Sequence, residues 1–190
     1  MSVFAKVKTE YGANWTTALV GWTGLGVFAP WSKGPQDWMS SSPLLYGDEI
    51  AAYAEERLAS SSSAKEQEAI VELLSLNLRT ETRGVIRDIL VRLARLDGND
   101  PAFELRKWRL VLLERLINNL PQDFLHALIE IREFWQGFGY PSDSPHDVKD
   151  GGKQVLSHEP DTPETLARTL DRHRKWIAEE KTVVKKQIAG

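Results

Sequence analysis

The sequence predicts an all-α protein, either a compact helical bundle or a short stacked helical repeat of about six to seven helices. Apolar residues recur every three or four positions through most of the 190-residue chain, and helix start signals precede these stretches. Short polar connections join successive helices, which must therefore pack as antiparallel neighbours. No segment alternates strictly enough between apolar and polar residues to predict a strand.

The N-terminal part gives the weakest helical signal. Residues 14–28 are apolar but contain three glycines, and each glycine in a helix interior costs about 1 kcal/mol relative to alanine. Residues 29–47 are rich in proline, serine and glycine and also contain Trp31 and Trp38, so we expect a loop. A loop of this length is either packed onto the core or used for binding.

From Asp48 onward the helix signals are explicit. Asp48 is expected to cap a helix that runs to about Ala59, and Ser63 with Glu66 forms the pattern of a capping box for the next helix. Further helices are predicted over 80–97, 100–119, 121–137 and 162–186. The helix over 100–119 is apolar on nearly all sides and should be the most buried.

The expected organisation is one helical core domain, residues 1–160, with a C-terminal helix packed on it. The core domain includes the tryptophan-containing loop 29–47 and an irregular polar segment, 138–161, with a turn at Asp150-Gly151-Gly152. Residues 161–190 form a highly charged helix with a thin apolar stripe, namely Leu166, Leu170, Ile177 and Val184. We expect one edge of this helix to pack and the rest to be solvated.

Composition favours a cytoplasmic protein. The chain has no cysteine, which excludes disulfides and thiolate chemistry, and neither a secretory leader nor a membrane span is recognisable. Its net charge of −3 is unlike that of most proteins that wrap nucleic acid, so no direct nucleic-acid partner is expected.

No catalytic constellation is visible in the sequence. The four histidines show no metal-binding spacing, and there is no nucleophile elbow or phosphate-binding loop. His146 and His158 share the polar segment with several acids, but a solvated loop explains them; His173 lies among basic residues, which disfavour its protonation. The chain is therefore expected not to be an enzyme, with no catalytic, cofactor-binding or metal-binding residues and no cofactor.

Two charged surfaces are candidates for binding. Arg79, Arg83 and Arg87 recur every four residues and could contact phosphates, although a solvated helix face is the alternative. The second surface is acidic and spans two consecutive helices; its members are Asp48, Glu49, Glu55, Glu56, Glu66, Glu68 and Glu72. Such a surface can occupy the cationic groove of an enzyme that acts on nucleic acid, and again solvated faces are the alternative.

One segment resembles a known family. The sequence Phe134-Trp135-Gln136-Gly137-Phe138-Gly139-Tyr140-Pro141, together with Lys107-Trp108 and the region of Trp22 and Gly26, is similar to an uncharacterised bacterial family of small helical proteins with a Phe-Gly-Tyr-Pro signature. Some relatives resemble immunity proteins of polymorphic toxin and contact-dependent growth inhibition systems. The resemblance covers roughly residues 14–145 and implies a binding role without catalytic residues.

The functional hypothesis is an immunity protein that binds a cognate bacterial toxin domain, a nuclease in the favoured form, and blocks its active site. Trp31, Trp38 and Tyr46 would anchor the complex, because aromatic residues dominate binding hot spots. The acidic residues would steer and pair with basic residues of the toxin. The alternatives are a helical scaffold or adaptor with another protein partner and, less favoured, a nucleic-acid-binding domain that uses the arginine row.

Overall fold

The structure, a computed structural model, describes residues 1–24, 44–145, 148–150, 153–155 and 161–189. In this part of the chain there are eight α-helices and one antiparallel pair of short strands. The helices are α1 (Val3–Tyr11), α2 (Trp15–Thr23), α3 (Gly47–Ser60), α4 (Ala64–Ser75), α5 (Arg83–Asp97), α6 (Pro101–Asn118), α7 (Phe124–Gly137) and α8 (Pro163–Ala189), and the strands are β1 (Val148–Asp150) and β2 (Lys153–Val155). The predicted helical class is confirmed, but the described helices number eight rather than six to seven.

Two elements were absent from the sequence prediction. Helix α1 begins after Ser2, whose hydroxyl accepts a hydrogen bond from the backbone N–H of Ala5 at 3.1 Å. It has only nine residues, and a helix of two or three turns gives little periodicity to detect. In addition, no segment was predicted as a strand, but Val148–Asp150 and Lys153–Val155 form a short antiparallel pair. Strands of three residues are too short to show alternation.

Capping residues set the helix starts, but not always where the sequence suggested. Helix α6 begins at Pro101 as predicted, and the carboxylate of Asp100 accepts a backbone N–H of its first turn at 2.9 Å. Helix α7 begins at Phe124 rather than at Pro121, because Asp123 supplies the cap. The first turn is therefore assigned better by the capping side chain than by the proline.

The chain divides into two compact units, one containing the described residues up to Trp108 and the other those from Arg109 onward. In the first unit, α2 packs against α5, and α4 packs against both α3 and α5. Trp15 and Trp108 are fully buried there, and the ring of Phe4 stacks on that of Trp108 with the centroids 5.9 Å apart. Aromatic side chains thus form much of this core.

A glycine allows Trp108 to approach α2. A Cβ atom at Gly21 would lie 2.3 Å from Cζ2 of Trp108, so no side chain fits at this position. The indole N–H of Trp108 also donates to the backbone carbonyl of Thr17 at 3.0 Å. The glycine that weakened the helix signal therefore has a packing role.

In the second unit, α7 packs against α8 around Trp135. The indole N–H of Trp135 donates to Nε2 of His173 at 2.7 Å, and Nδ1 of that histidine lies 2.7 Å from the carbonyl oxygen of Thr169. Because Nε2 is an acceptor, Nδ1 carries the proton and the buried ring is neutral. His173 thus has a structural role inside the unit.

A buried guanidinium completes this core. Arg109 is only 6% exposed and lies over the rings of Trp135 and Trp176, at 5.8 and 5.2 Å from their centroids. Its charge is balanced by Asp143 and by Glu180, which is also buried. A buried charge is tolerated only with such partners.

The Phe-Gly-Tyr-Pro segment ends α7. Gly139 and Tyr140 both have positive φ values, 70° and 48°, and the backbone N–H of Tyr140 donates to the carbonyl of Trp135 at 2.9 Å. Left-handed backbone at this point satisfies a free carbonyl of the last turn, and Pro141 prevents the helix from continuing. The motif has a structural explanation in the termination of the helix.

Helix α8 buries the second half of the predicted stripe, Ile177 and Val184, together with polar residues that were not predicted. Its buried residues are Thr165, Thr169, His173, Trp176, Ile177, Glu180 and Val184. Leu166 and Leu170 are only half-buried, so in the first half of the helix the packed face is rotated by about one residue, onto Thr165 and Thr169. The remaining residues of the helix are mostly exposed, as expected.

Candidate partner-binding surface

The start of α3, where several partner-binding residues were predicted, lies on the surface of the first unit. Tyr46 immediately precedes the helix and is 62% exposed. Asp48, predicted to cap α3, lies inside its first turn; Glu49 instead accepts a hydrogen bond from the backbone N–H of Tyr46 at 3.1 Å. Trp31 and Trp38, the other predicted anchors, lie outside the described residues. Tyr46 is therefore the anchor whose exposure the structure establishes.

Gly47 fixes this end of α3 against the segment that joins α4 and α5. A Cβ atom at Gly47 would lie 2.6 Å from the carbonyl oxygen of Leu78, closer than side chains approach. The contact places Asp48 opposite Arg79, whose Nε and Nη2 atoms each donate to a carboxylate oxygen at 3.0 Å. The hydrogen bond and charge of Arg79 hold the pKa of Asp48 below its ordinary value. Both side chains are largely exposed, so this pair adds little stability and exchanges readily with a partner.

Two depressions flank this ion pair, and both are lined by Gly47, Asp48, Leu78 and Arg79. The Tyr46 pocket, about 340 Å³, is completed by Trp22, Tyr46 and Arg83. The Glu55 groove, about 250 Å³, is completed by Ala51, Glu55, Leu74, Leu76 and Asn77. The surface thus combines aromatic, apolar and charged groups in a small concave area, as binding sites do.

Arg79, Arg83 and Arg87, the predicted arginine row, each contact another group of the same chain. The guanidinium of Arg83 lies 5.2 Å from the ring centroid of Trp22, and its Nη2 donates to the carbonyl of that residue at 2.6 Å. Arg79 pairs with Asp48, and Arg87 pairs with its neighbour Asp88. The three guanidinium groups therefore face three different partners and do not form one phosphate-binding row.

Glu66 does not belong to the predicted acidic surface, because its side chain is buried. Its carboxylate accepts hydrogen bonds from Nε1 of Trp15 at 2.7 Å, from Arg57 at 2.6 Å and from the hydroxyl of Ser61 at 2.6 Å. Burial alone would raise the pKa of Glu66, but these hydrogen bonds and the charge of Arg57 lower it below its ordinary value. Ser63 still caps α4 with its hydroxyl, so the predicted capping box is only half formed.

The other predicted acids divide into two groups. Glu56 pairs with Lys8, and Glu72 pairs with Arg92, so their charges are partly neutralised on the surface. Glu55 and Glu68 are exposed and make no ion pair or side-chain hydrogen bond within the described chain. The acidic surface that remains for a partner is thus smaller than the sequence suggested and depends most on these two residues.

The leucines that line the Glu55 groove were missed as site residues. Leu74 and Leu78 are four residues apart, a spacing that predicts one apolar helix face, but α4 ends at Ser75. Leu74, Leu76 and Leu78 alternate with the polar residues Ser75 and Asn77, which is the period of an extended chain. This alternation is the signal that could have located the end of α4 and its apolar edge.

The described chain shows no group of three or more histidine, aspartate or glutamate residues that could hold a metal ion. His146 and His158 lie outside the described residues. Among the helices that the structure describes, none has the length and apolarity needed to cross a membrane.

Comparison with known proteins gives one match. A family model described as "Uncharacterized protein conserved in bacteria (DUF2247)" matches residues 5–181. The chain belongs to this family. Membership of DUF2247 confirms the expected bacterial, uncharacterised affiliation and extends it over α8, beyond the 14–145 range of the resemblance. No curated protein and no solved structure matches the chain.

Proposed function

We propose that this member of DUF2247 is an immunity protein, which binds a cognate bacterial toxin domain of the nuclease class in the cytoplasm and blocks its active site. The observation that carries the proposal is the surface at the start of α3, where the exposed side chain of Tyr46 lines one of two neighbouring depressions that also contain charged groups. Inhibition by such a surface is steric and electrostatic.

The chemistry of this surface suits a protein partner. Tyrosine gives a large contact area with few rotatable bonds and is enriched at binding hot spots. Asp48 and Arg79 offer one charge of each sign, and the pair is exposed enough to be exchanged for contacts with a partner. A toxin that cleaves nucleic acid carries basic residues at its active site, and Glu55 and Glu68 supply uncommitted negative charge for them.

Co-expression with the toxin domain encoded beside this gene tests the proposal. We expect a stable complex and protection of cells from the toxin. Tyr46→Ala should weaken the complex by at least about tenfold, the loss typical of a hot-spot truncation. Leu125→Ala is the matched control, because Leu125 is an exposed apolar residue on α7, in the other unit. Binding without protection would favour a scaffold or adaptor, and the absence of any complex with that domain would refute the proposal.

The acidic residues should act mainly on the association rate. Reversing Glu55 and Glu68 to lysine should slow association and leave dissociation nearly unchanged, since exposed charges attract over a screening length of about 8 Å at physiological ionic strength. Stopped-flow measurements at two salt concentrations should show that the wild-type rate falls with salt and that the rate of the reversed variant hardly changes. Reversal of Glu66 is unsuitable for this test, because that residue is buried.

Binding of generic duplex DNA or RNA would contradict the proposed function. We expect no tight binding at physiological salt, because the arginines of the row are engaged with different protein groups. Micromolar binding that is lost when Arg79 and Arg87 are changed to alanine would support the nucleic-acid function instead.

A further inference from the structure

The Glu55 groove has a wall on α3 with two carboxylates, of which Asp48 is already paired with Arg79, and an opposite wall that is mainly apolar. On α3, Asp48, Ala51 and Glu55 are spaced three and four residues apart and so lie on the same face of the helix. The opposite wall is formed by Leu74, Leu76 and Leu78, which are each half-buried. The small side chain of Ala51 leaves space between the two carboxylates.

These walls match the side chain of arginine. Its three methylene groups can lie on the leucines, and its planar guanidinium can donate two parallel hydrogen bonds to a carboxylate. The lining of the groove already contains one such pair, because Nε and Nη2 of Arg79 donate to the two carboxylate oxygens of Asp48, each at 3.0 Å. Glu55, in contrast, is exposed and has no ion pair or side-chain hydrogen bond in the described chain.

From this geometry we propose that the Glu55 groove receives an arginine side chain of the protein partner, with the guanidinium at Glu55 and the aliphatic part against Leu74 and Leu76. The proposal rests on the protein-binding role proposed above and names the chemistry of the segment that is bound. A lysine would use the same charge but could not form the two parallel hydrogen bonds. The partner segment should therefore carry an arginine next to apolar residues.

Titration of the full-length ¹⁵N-labelled protein with a blocked peptide tests this without any toxin. The probe is acetyl-Leu-Arg-Leu-amide, and the matched probe replaces arginine by citrulline, which has the same shape but no charge. The arginine peptide should shift amide resonances of residues 47–55 and 74–79, and the citrulline peptide should bind about five-fold more weakly, the upper end of what one lost exposed ion pair gives. Equal binding of the two peptides, or no shifts in these residues at millimolar peptide, would overturn the proposal.

Two variants separate the groove from general electrostatics. Glu55→Gln should weaken the arginine peptide about five-fold, and Glu68→Gln, which changes an equally exposed and unpaired carboxylate that does not line the groove, should leave its affinity unchanged. Ala51→Leu fills the groove and should abolish the shifts while far-ultraviolet circular dichroism stays unchanged. Equal losses in the Glu55 and Glu68 variants would show that only long-range charge is involved.

The same variants distinguish this inference from the proposed function. If the toxin domain binds the wild type and Ala51→Leu equally well, the groove is not used and the inference is wrong, while the immunity function stands. If no toxin binds the wild type but the arginine peptide binds it more tightly than the citrulline peptide, the immunity function is wrong. The groove is then a binding site for another protein.

Discussion

Replacing Gly21 with alanine should destabilise the first unit by about 2 kcal/mol, even though alanine is the better helix former. The added Cβ would lie 2.3 Å from Cζ2 and 2.9 Å from Cη2 of Trp108, and 3.1 Å from Cβ of Leu45. The Trp108 ring is completely buried and its N–H is bonded to Thr17, so it cannot turn aside. Overpacking of this severity costs about 3 kcal/mol, the upper end of the usual range, and alanine recovers about 1 kcal/mol of helix propensity.

Urea unfolding followed by tryptophan fluorescence measures this difference. With a denaturant slope of about 2 kcal/mol/M, the midpoint should fall by about 1 M. Gly84→Ala is the matched control, because the added Cβ on α5 would meet nothing within 4 Å apart from its chain neighbours and the backbone of its own helix. That variant should gain up to about 1 kcal/mol from propensity alone.

A double-mutant cycle identifies the cause. Phenylalanine lacks the outer ring atoms of tryptophan, so Gly21→Ala should be nearly neutral in a Trp108→Phe background. Two results would show that the close contact with Trp108 does not explain the glycine. One is that Gly21→Ala costs as much in the Trp108→Phe background as in the wild type. The other is that the single variant Gly21→Ala is as stable as the wild type.

Three further predictions concern buried polar groups. Glu66→Gln should lower the free energy of unfolding more at pH 7 than at pH 3. Folding lowers the pKa of Glu66 from its ordinary value of 4.5, so the ionised carboxylate stabilises the fold above that pH. This stabilisation is lost as the pH falls through the folded pKa. Arg109→Ala should cost about 3–5 kcal/mol in urea unfolding, because it removes the buried cation that faces the buried carboxylate of Glu180, whereas Arg95→Ala, at an exposed position, should cost less than about 0.5 kcal/mol. Trp135→Phe should cost about 1–3 kcal/mol, since it removes the 2.7 Å hydrogen bond from the indole N–H to Nε2 of the buried His173, and the near-ultraviolet circular dichroism spectrum should change with it.

Local chemistry made much of the fold predictable. The cap at Asp100 and the apolar periodicity of α5 act within a few residues, so they can be recognised without knowledge of the fold. The polar stripe of α8 could not be predicted in this way. His173 and Glu180 are buried only because Trp135 and Arg109 are brought to them from distant parts of the chain.

The exposed residues of the candidate site could be predicted from local sequence, but its tertiary contacts could not. Tyr46 and Glu55 were singled out by residue type and are exposed, so residue type was sufficient to predict their exposure, and their partner-binding role stays a prediction. Glu66 was assigned to the surface because charged residues are rarely buried, but Trp15 and Arg57 supply the partners that make burial tolerable. The opposition of Asp48 and Arg79 is a tertiary contact that no short-range pattern shows.

The close backbone contact at Gly47 determines the geometry of the site, whereas the neighbouring side chains determine which partner it binds. Since the position of α3 depends on the approach of Gly47 to the carbonyl of Leu78, the side chains at 46, 48 and 55 are free to change with little effect on the fold. Related chains can diverge in partner choice by altering these three residues while the glycine is retained. The same property makes the surface a suitable scaffold for engineered binders, in which new charge patterns are placed on an unchanged backbone.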